Sequence, residues 1–441
     1  MDRHRPALTR RWALLLAAPP LAFLGLFFLW PVANILALGL APEGQLQLGH
    51  VLQTWAQPWV LDTVVFTLAL AGLSTALTLL LGLPAAWVFA RFTFPGKSVA
   101  RALTVVPFVL PTVVVGSAFL ALLGPRSPLN ELLTVLFGAD FPQVRLDGSV
   151  GAILIAHVFY NIAVIIRLVG GMWANIDPRT EEAARMLGAS PWGAFREVTW
   201  PLLRPAVISA ASIVFLFTVT SFGVVLLLGG PRDATLEVEI YRQTAILLDL
   251  PTAAALTIMQ MAGIIALLLA SARAQEALAV QQRLRGSGET TRRPRAGRER
   301  MVVGLILAAT VVFRFTPLAV LVERALHWGD GYGLGAYASL TETGSRMRLS
   351  APPAQAVVDS LRFAVATTLI AGALGLMAAT VVGYRRGWLA RGLDALVMLP
   401  LGTSAVIVGF GFLVSLDSPP LDLRTSILLI PIAHALIALP F

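Results

Sequence analysis

The sequence predicts an all-α fold that crosses a membrane many times. Hydrophobic residues make up 57% of the 441 positions and charged residues only 13%, and the mean hydropathy is +0.79. This composition excludes an ordinary soluble domain. Apolar runs also recur along the chain, with lengths near or above the ~20 residues that a helix needs to span a bilayer. The chain has no cysteine and five scattered histidines, which excludes thiolate chemistry and gives no metal site.

Ten apolar runs are the candidate membrane helices. The first follows a short arginine-rich N-terminus and is too long for a signal peptide, so we expect it to remain uncleaved. Each run reaches about the length of a span, except the last, which ends with the sequence. The runs are 12–42, 63–90, 102–125, 148–166, 205–231, 250–272, 301–322, 363–384, 395–416 and 425–441.

The basic residues concentrate in alternate loops between these runs. Loops rich in arginine and lysine face the cytoplasm, so the pattern predicts a cytoplasmic N-terminus and places residues 177–205 on the cytoplasmic side. The net charge of +9 therefore reflects membrane orientation and contact with lipid, and we expect no nucleic-acid partner.

A polar stretch at residues 177–205 interrupts the apolar runs. It opens with an Asp-Pro pair, which predicts a helix start because the Asp oxygen can accept from a first-turn amide and proline lacks only a donor that the helix does not use. Glu181 and Glu182 follow in or near the first turn, where the helix dipole favours negative charge. Gly188 is predicted to end the helix. The apolar residues that share one helical face are Ala183, Ala184 and Leu187.

This stretch fits the signature EAA---G---------I-LP, and the chain thereby resembles the importer-type ABC permeases. The fixed positions hold Glu182, Ala183, Ala184, Gly188 and Pro201. Val198 and Trp200 stand where the family usually has Ile and Leu. The plain alternative is an amphipathic cytoplasmic loop without a partner.

The resemblance implies that the loop is a coupling helix, which docks on a separate cytoplasmic ATPase subunit, expected as a dimer. It also implies a periplasmic binding protein as a partner, a location in the bacterial inner membrane, and ATP used by the partner with no cofactor bound by this chain. The ATPase-coupling residues implied are Glu181, Glu182, Ala183, Ala184, Leu187, Gly188 and Pro201.

One short motif resembles part of a nucleotide-binding site. Gly96, Lys97 and Ser98 look like the end of a phosphate-binding loop. Arg91, however, stands where that motif requires glycine, and no predicted strand precedes it. We therefore expect no catalytic residues and interpret the chain as a non-catalytic membrane subunit.

The second half of the chain repeats the first in weaker form. The sequence thus predicts a first permease module at 1–282 with about six membrane helices, a flexible arginine-rich cytoplasmic linker at 283–300, and a second module at 301–441. The second copy of the coupling loop would fall beyond Phe441, so we expect an incomplete second module that belongs to a longer protein. The corresponding pairs are Asp62 and Asp359, Phe66 and Phe363, Pro111 and Pro400, and His157 and His434.

The fused layout is similar to that of the thiamine and ferric-iron permeases. Stretches beginning at Ile155, Leu226 and Pro251 look most like the thiamine permeases, so thiamine is the substrate that the resemblance implies. Ferric iron or another small cation is the alternative. A secondary transporter also uses internal repeats and polar groups at the midplane, but acidic residues suited to ion coupling are missing from the apolar runs.

Polar residues inside the apolar runs are candidates for the translocation path, because such groups are costly in a bilayer unless they face a cavity or another helix. Contact between helices is the alternative for each of them. Arg314 also lies inside a run, and we expect either that its side chain reaches toward the interface or that the helix is shorter than the run. The path candidates are His157, Tyr160, Asn161, Ser221 and Gln260.

Overall fold

The computed structural model confirms the all-α membrane fold. It describes residues 9–41, 44–104, 106–125, 127–138, 141–143, 145–277, 290–295, 297–329, 331–342, 352–385, 387–418 and 421–440. Among these residues, seven helices are long and apolar enough to cross a bilayer. They are Arg11–Leu40, Pro58–Arg91, Val150–Asn175, Pro191–Val219, Leu250–Gln275, Arg298–Leu326 and Pro353–Tyr384.

Two of these spans, Arg11–Leu40 and Pro191–Val219, contain a short π-helical turn that divides each into separate α-helices. The helices before residue 200 are α1 (Arg10–Leu24), α2 (Trp30–Leu40), α3 (Leu48–Trp55), α4 (Pro58–Arg91), α5 (Lys97–Leu103), α6 (Val106–Val109), α7 (Thr112–Leu123), α8 (Pro128–Phe137), α9 (Val150–Asn175), α10 (Pro178–Met186) and α11 (Pro191–Ala194). Those that follow are α12 (Trp200–Val219), α13 (Gly223–Leu228), α14 (Leu236–Tyr241), α15 (Leu250–Ala277), α16 (Arg298–Leu326), α17 (Gly335–Ala338), α18 (Pro353–Tyr384), α19 (Trp388–Met398), α20 (Ala405–Ser415) and α21 (Leu429–Ala438). A two-residue hairpin pairs β1 (His327–Trp328) with β2 (Gly331–Tyr332).

Three of the ten predicted spans contain no helix of spanning length among the described residues, whereas the sequence predicts ten such helices. The run at 102–125 contains the end of α5 and the short helices α6 and α7, and the run at 395–416 is interrupted by a 3-10 turn at Leu399–Gly402. The last run contains only the ten-residue helix α21. Pro111 and Pro400 stand at the first two interruptions, because proline lacks an amide donor and disfavours helical geometry in the residue before it.

The described chain packs as two compact units, which interleave along the sequence. In unit 1 the helices α1 and α2 pack against α18 and α20, and α18 also packs against α21. Buried residues of the core include Leu24, Phe28, Val381, Phe412 and Leu436. Unit 1 comprises Met1–Val60, Glu239–Ala262 and Leu326–Phe441.

Unit 2 is built around α9, which packs against α12, α13 and α7. Small residues allow close approach, as in other membrane helix pairs. A Cβ added at Gly82 of α4 would come within 2.9 Å of Ile165 on α9, so this glycine sets the spacing of the two helices. Unit 2 comprises Leu61–Val238 and Gly263–Ala325.

Each unit thus combines the first long helix of one predicted module with the body of the other. Helices α1 and α2 belong to unit 1 together with residues 353–440, whereas most of α16 belongs to unit 2 together with residues 61–238. Unit 1 also contains Glu239–Ala262 of the first predicted module, and the tandem repeat stays a prediction. The predicted module boundaries at residues 282 and 300 also stay a prediction, because the compact units are defined by packing and the modules by sequence repeats.

The second part of the predicted linker has defined contacts, unlike the flexible tether expected from its composition. Residues 283–289 and 296 lie outside the described residues. The amide of Thr93 donates to the carbonyl of Arg292 at 2.9 Å, and the amide of Arg292 donates to the carbonyl of Arg91 at 3.1 Å. The guanidinium of Arg292 also lies 4.9 Å from the ring centre of Phe92, within cation–π range. Residues 290–295 therefore pack on the end of α4.

Candidate functional site

The polar stretch at 177–205 folds as two short helices, α10 and α11, with the predicted caps. The Asp177 carboxylate accepts a hydrogen bond from the amide of Arg179 at 3.0 Å, and Ser190 accepts from the amide of Gly193 at 3.0 Å. Gly188 follows α10 with φ of +94°, a conformation that glycine adopts without steric cost. The predicted start and end of the first helix are confirmed.

An exposed apolar surface covers the turn between α10 and α11. The exposed fractions are 89% for Met186, 90% for Leu187 and 69% for Trp192. Exposed neighbours of this kind, on a loop with charged residues beside them, are typical of interaction surfaces. We call these three residues the apolar tip. Glu182 and Ala183 are also exposed, and Ala184 is half-buried.

Glu181 points away from this surface toward the end of α4. Its carboxylate lies 3.2 Å from the guanidinium of Arg91 and also accepts a hydrogen bond from the hydroxyl of Thr199. The other terminal nitrogen of Arg91 donates to the carbonyl of Ile176 at 3.1 Å. Glu181 therefore anchors the loop to the end of α4, and its coupling role stays a prediction.

Aromatic rings fix the second short helix to the spans. Phe195 lies between the rings of Trp173 and Trp192, at centroid distances of 5.9 and 5.4 Å. The π-helical turn at Phe195–Thr199 then leads directly into α12, with Pro201 in its first turn. Proline is tolerated there because its missing amide has no helical partner. The loop and the following span are thus one continuous segment.

The linker adds a further contact beside this anchor. The guanidinium of Arg292 forms a two-pronged ion pair with Glu299, with one distance of 2.8 Å. The hydrogen bonds that Arg292 donates to the Glu299 carboxylate raise the pKa of Arg292 above its ordinary value, so this side chain stays charged throughout the physiological pH range. The hydroxyl of Thr290 donates to the carbonyl of Ala174 at the end of α9.

The polar residues predicted for the translocation path divide between the units. Gln260 lies in unit 1, whereas His157, Tyr160, Asn161 and Ser221 lie in unit 2. His157 is 2% exposed and Asn161 is 4% exposed. The structure therefore brings four of the five together, on and beside α9.

His157 joins three segments of unit 2. Its Nδ1 lies 2.9 Å from the hydroxyl of Ser74 on α4, and its Nε2 lies 2.9 Å from the hydroxyl of Ser221 after α12. A neutral imidazole has one donor and one acceptor nitrogen, and each serine hydroxyl can either donate or accept a hydrogen bond. Ser74 was missed by the sequence reasoning, although a serine inside an apolar run is a signal of the same kind as the others.

Two interruptions in the membrane helices lie beside this polar face of α9. The Tyr160 hydroxyl donates to the carbonyl of Leu110 at 3.2 Å, at the break before α7. Ser221 lies in the break between α12 and α13. The two breaks lie next to each other. A Cβ added at Gly223, the first residue of α13, would overlap the side chain of Thr112, the first residue of α7. Non-helical backbone at membrane depth needs such partners, so the face of α9 supplies hydrogen bonds to both breaks.

The buried arginine of the seventh predicted run corrects a sequence-based expectation. Arg314 is 2% exposed and does not reach toward the interface. Its guanidinium donates to the carbonyl of Phe159 at 3.1 Å and to the carbonyl of Thr104, and lies 5.8 Å from the ring centre of Phe159. Pairing with backbone carbonyls is one of the ways in which a membrane protein holds a buried charge.

Comparison with protein families agrees with this architecture. Residues 78–281 match the model of the binding-protein-dependent transport system inner membrane component. The chain is 35% identical over 184 residues to the molybdenum transport system permease protein of Azotobacter vinelandii, covering 79% of that protein. It is 31% identical over 308 residues, or 69% of its own length, to the thiamine transport system permease protein of Haemophilus influenzae, of which it covers 55%.

Other similar proteins include a putative 2-aminoethylphosphonate transport system permease protein of Salmonella typhi, 30% identical over 239 residues that cover 54% of this chain and 82% of that protein. Among solved structures, a bacterial ABC transporter involved in the import of alginate aligns with a TM-score of 0.52 at 16% identity, over 62% of this chain and 97% of that chain. A bacterial alginate ABC transporter in complex with an alginate pentasaccharide-bound periplasmic protein aligns with a TM-score of 0.50 at 18% identity, over 59% of this chain and 93% of that chain. At these identities the structures support the fold alone.

Proposed function

The chain belongs to the family of binding-protein-dependent transport system inner membrane components, and from this membership we propose that it imports thiamine. It is the permease of an ABC importer, a multi-pass membrane component that is not itself an enzyme. We place it in a bacterial inner membrane with its N-terminus in the cytoplasm, following the distribution of basic residues.

We choose thiamine as the substrate because of the length of the alignment with the thiamine permease. That match extends over 308 residues, which exceeds the predicted first module and therefore includes part of the second. The molybdenum and 2-aminoethylphosphonate permeases align over 184 and 239 residues, which fit within a single module. A fused permease is therefore the better template for the whole chain.

The apolar tip is the proposed docking surface for the cytoplasmic ATPase. Met186, Leu187 and Trp192 are exposed together, and removing such apolar surface from water favours association. Glu182 and the small side chains of Ala183 and Ala184 border the tip and would allow close approach. ATP would be bound and hydrolysed by that partner, with no cofactor held by this chain.

Periplasmic delivery of substrate completes the proposal. One similar transporter was solved in complex with a periplasmic protein, and by analogy we place a binding protein on the outer loops. ATP-driven closure of the ATPases would move the coupling loop. The adjacent helix breaks before α7 and after α12 are the segments most suited to change conformation, because breaks in membrane helices mark sites of gating and binding.

Uptake of labelled thiamine tests the substrate. Cells that depend on the gene would be compared with cells lacking it and with cells lacking the ATPase partner. Loss of uptake in both deletions is the expected result. Thiamine uptake that is indifferent to the gene would retain the permease and move the substrate to molybdate, whose permease is 35% identical, or to ferric iron. Uptake that survives loss of the ATPase but fails with the proton gradient would favour a secondary transporter.

A further inference from the structure

A groove of about 650 Å³ lies where the linker enters α16. One wall is formed by Thr93, Phe94 and Pro95 after α4, and the other by the linker and the first turns of α16. All of its lining residues belong to unit 2. The volume lies within the ~300–1,000 Å³ of typical ligand sites.

Two arginines give one end of this groove a positive charge. Arg293 and Arg300 both line it and both are exposed. The carboxylate of Glu299, which precedes Arg300 in the sequence, is already engaged by Arg292 and by the amide of Arg295. Within the described residues, neither Arg293 nor Arg300 forms an ion pair. The end of the groove is therefore complementary to an anion.

The other end is apolar and lies further along α16, toward the middle of this helix. Val303 and Leu307 follow Arg300 by three and seven residues along α16, which at the helical rise of about 1.5 Å per residue puts them roughly 4.5 and 10 Å further along the axis. Gly304 lies between them, and a Cβ added there would meet no atom within 4 Å. The missing side chain leaves room for an apolar chain beside the helix.

We propose that this groove binds one anionic phospholipid. The phosphate lies between Arg293 and Arg300, and one acyl chain follows α16 past Gly304 and Leu307. Arginines at the membrane surface attract acidic lipids, and α16 continues from Arg300 into an apolar span that an acyl chain can follow. The cytoplasmic leaflet follows from the orientation under the proposed function, whereas the groove itself does not depend on the substrate.

A lipid in this groove would be linked to the base of the coupling loop through the residues at the end of α4. Thr93 and Phe94 directly follow Arg91 and Phe92. Arg91 anchors Glu181 of the loop, and Phe92 packs against Arg292 of the linker. The lipid would therefore hold together the end of α4, the linker and the start of α16, next to the surface that receives the ATPase.

Native mass spectrometry of the delipidated full-length chain tests this proposal. The probes are dioctanoyl phosphatidylglycerol, dioctanoyl phosphatidylcholine and glycerol phosphate. We expect selective binding of phosphatidylglycerol, weakened about fivefold by Arg293→Gln or Arg300→Gln and about 25-fold by both together. Gly304→Leu should weaken binding by filling the apolar end.

Matched controls separate this site from general effects. Arg298→Gln removes the same charge from the same helix outside the groove, and Gly372→Leu fills an equally open helical position in α18. Both should leave binding within about twofold of the unchanged protein. Arg293→Lys, which keeps the charge, should retain most of the affinity and so excludes misfolding as the cause.

Three outcomes would overturn the proposal. Equal binding of the two phospholipids would remove the role of the charge, and binding that is unchanged in the double arginine variant would place the lipid elsewhere. Glycerol phosphate binding as tightly as phosphatidylglycerol would indicate a site for a free phosphate ester. None of these outcomes depends on thiamine uptake, so failure here is distinguishable from failure of the proposed function.

Discussion

The guanidinium of Arg91 lies 3.2 Å from the carboxylate of Glu181. Arg91 is the last residue of α4, and Glu181 lies in the first turn of α10. Their side chains are 10% and 30% exposed, so water screens the pair less than a surface ion pair. The contact attaches the loop at residues 177–205 to the end of a membrane span, so a displacement of this loop would be passed to α4.

Glu181→Gln tests this attachment. The amide keeps the shape of the side chain and can still accept from Thr199, but it leaves the charge of Arg91 without a carboxylate partner. We expect the free energy of unfolding of the purified protein to fall by about 1–3 kcal/mol, less than the ~3–5 kcal/mol of a fully buried pair. Chemical denaturation in detergent measures it.

The matched control for this substitution is Glu197→Gln. Glu197 pairs with Arg196, but both side chains are about two-thirds exposed, and such pairs contribute little. A change within about 0.5 kcal/mol is expected. Equal effects of Glu181→Gln and Glu197→Gln would contradict the anchoring role of Glu181.

Glu182→Lys tests the docking surface. Glu182 is exposed beside the apolar tip, so reversing its charge should disturb a partner without disturbing the fold. We expect the ATPase to be lost from the purified complex, while membrane insertion and thermal stability persist. Glu131→Lys makes the same charge change on the exposed surface of α8 and should retain the ATPase. If the amount of ATPase recovered with Glu182→Lys were unchanged, the proposal that this loop docks on the ATPase would be contradicted.

The fold of the loop at residues 177–205 is predictable from the sequence because its signals are local. The cap at Asp177, the proline after it and the glycine at Gly188 act within a few residues, and the structure places each as expected. Glu181 shows the limit of such signals. Its direction is set by Arg91, 90 residues earlier in the chain, and no local pattern encodes that partner.

The membrane spans show the same limit. Hydropathy finds apolar runs, but it does not distinguish one long helix from two short ones joined at Pro111 or Pro400. Arg314 was assigned to the interface because a single buried charge is costly. The structure instead pairs it with the carbonyls of Phe159 and Thr104, and those distant partners are visible only after the helices have packed.

Ser221→Ala tests whether His157 holds the helix breaks in place. Removing the hydroxyl leaves Nε2 of the buried imidazole without its partner, which costs about 1–3 kcal/mol. We expect a lower unfolding temperature. Ser74→Ala should act similarly through Nδ1, and the double variant should be non-additive because both hydroxyls bond one ring.

Thr368→Ala is the control for the serine variants, since its hydroxyl bonds only the carbonyl of Ala364 in its own helix. It should leave the unfolding temperature nearly unchanged. The rival interpretation, that His157 and Ser221 serve only as lining of the path, predicts altered uptake with no loss of stability. Thermal unfolding and uptake measured on the same variants therefore discriminate between the two.

Arg314→Met separates the cost of inserting a charge from its contribution to packing. The substitution should make insertion of α16 more favourable by up to about 2.5–3.5 kcal/mol, the cost of arginine at the centre of a span. It also leaves the carbonyls of Phe159 and Thr104 without their donor, so the assembled protein should unfold more easily. A glycosylation-based insertion assay measures the first effect, and thermal unfolding measures the second.

Arg314→Lys keeps the charge but lacks the fork of donors that reaches two carbonyls at once. We therefore expect insertion like that of the unchanged chain, with stability closer to that of Arg314→Met. Thr316→Ala is the control on the same helix, because its exposed hydroxyl bonds only the carbonyl of Val312. If Arg314→Met improved insertion and stability together, the arginine would not join α16 to α9, and its burial would need another cause.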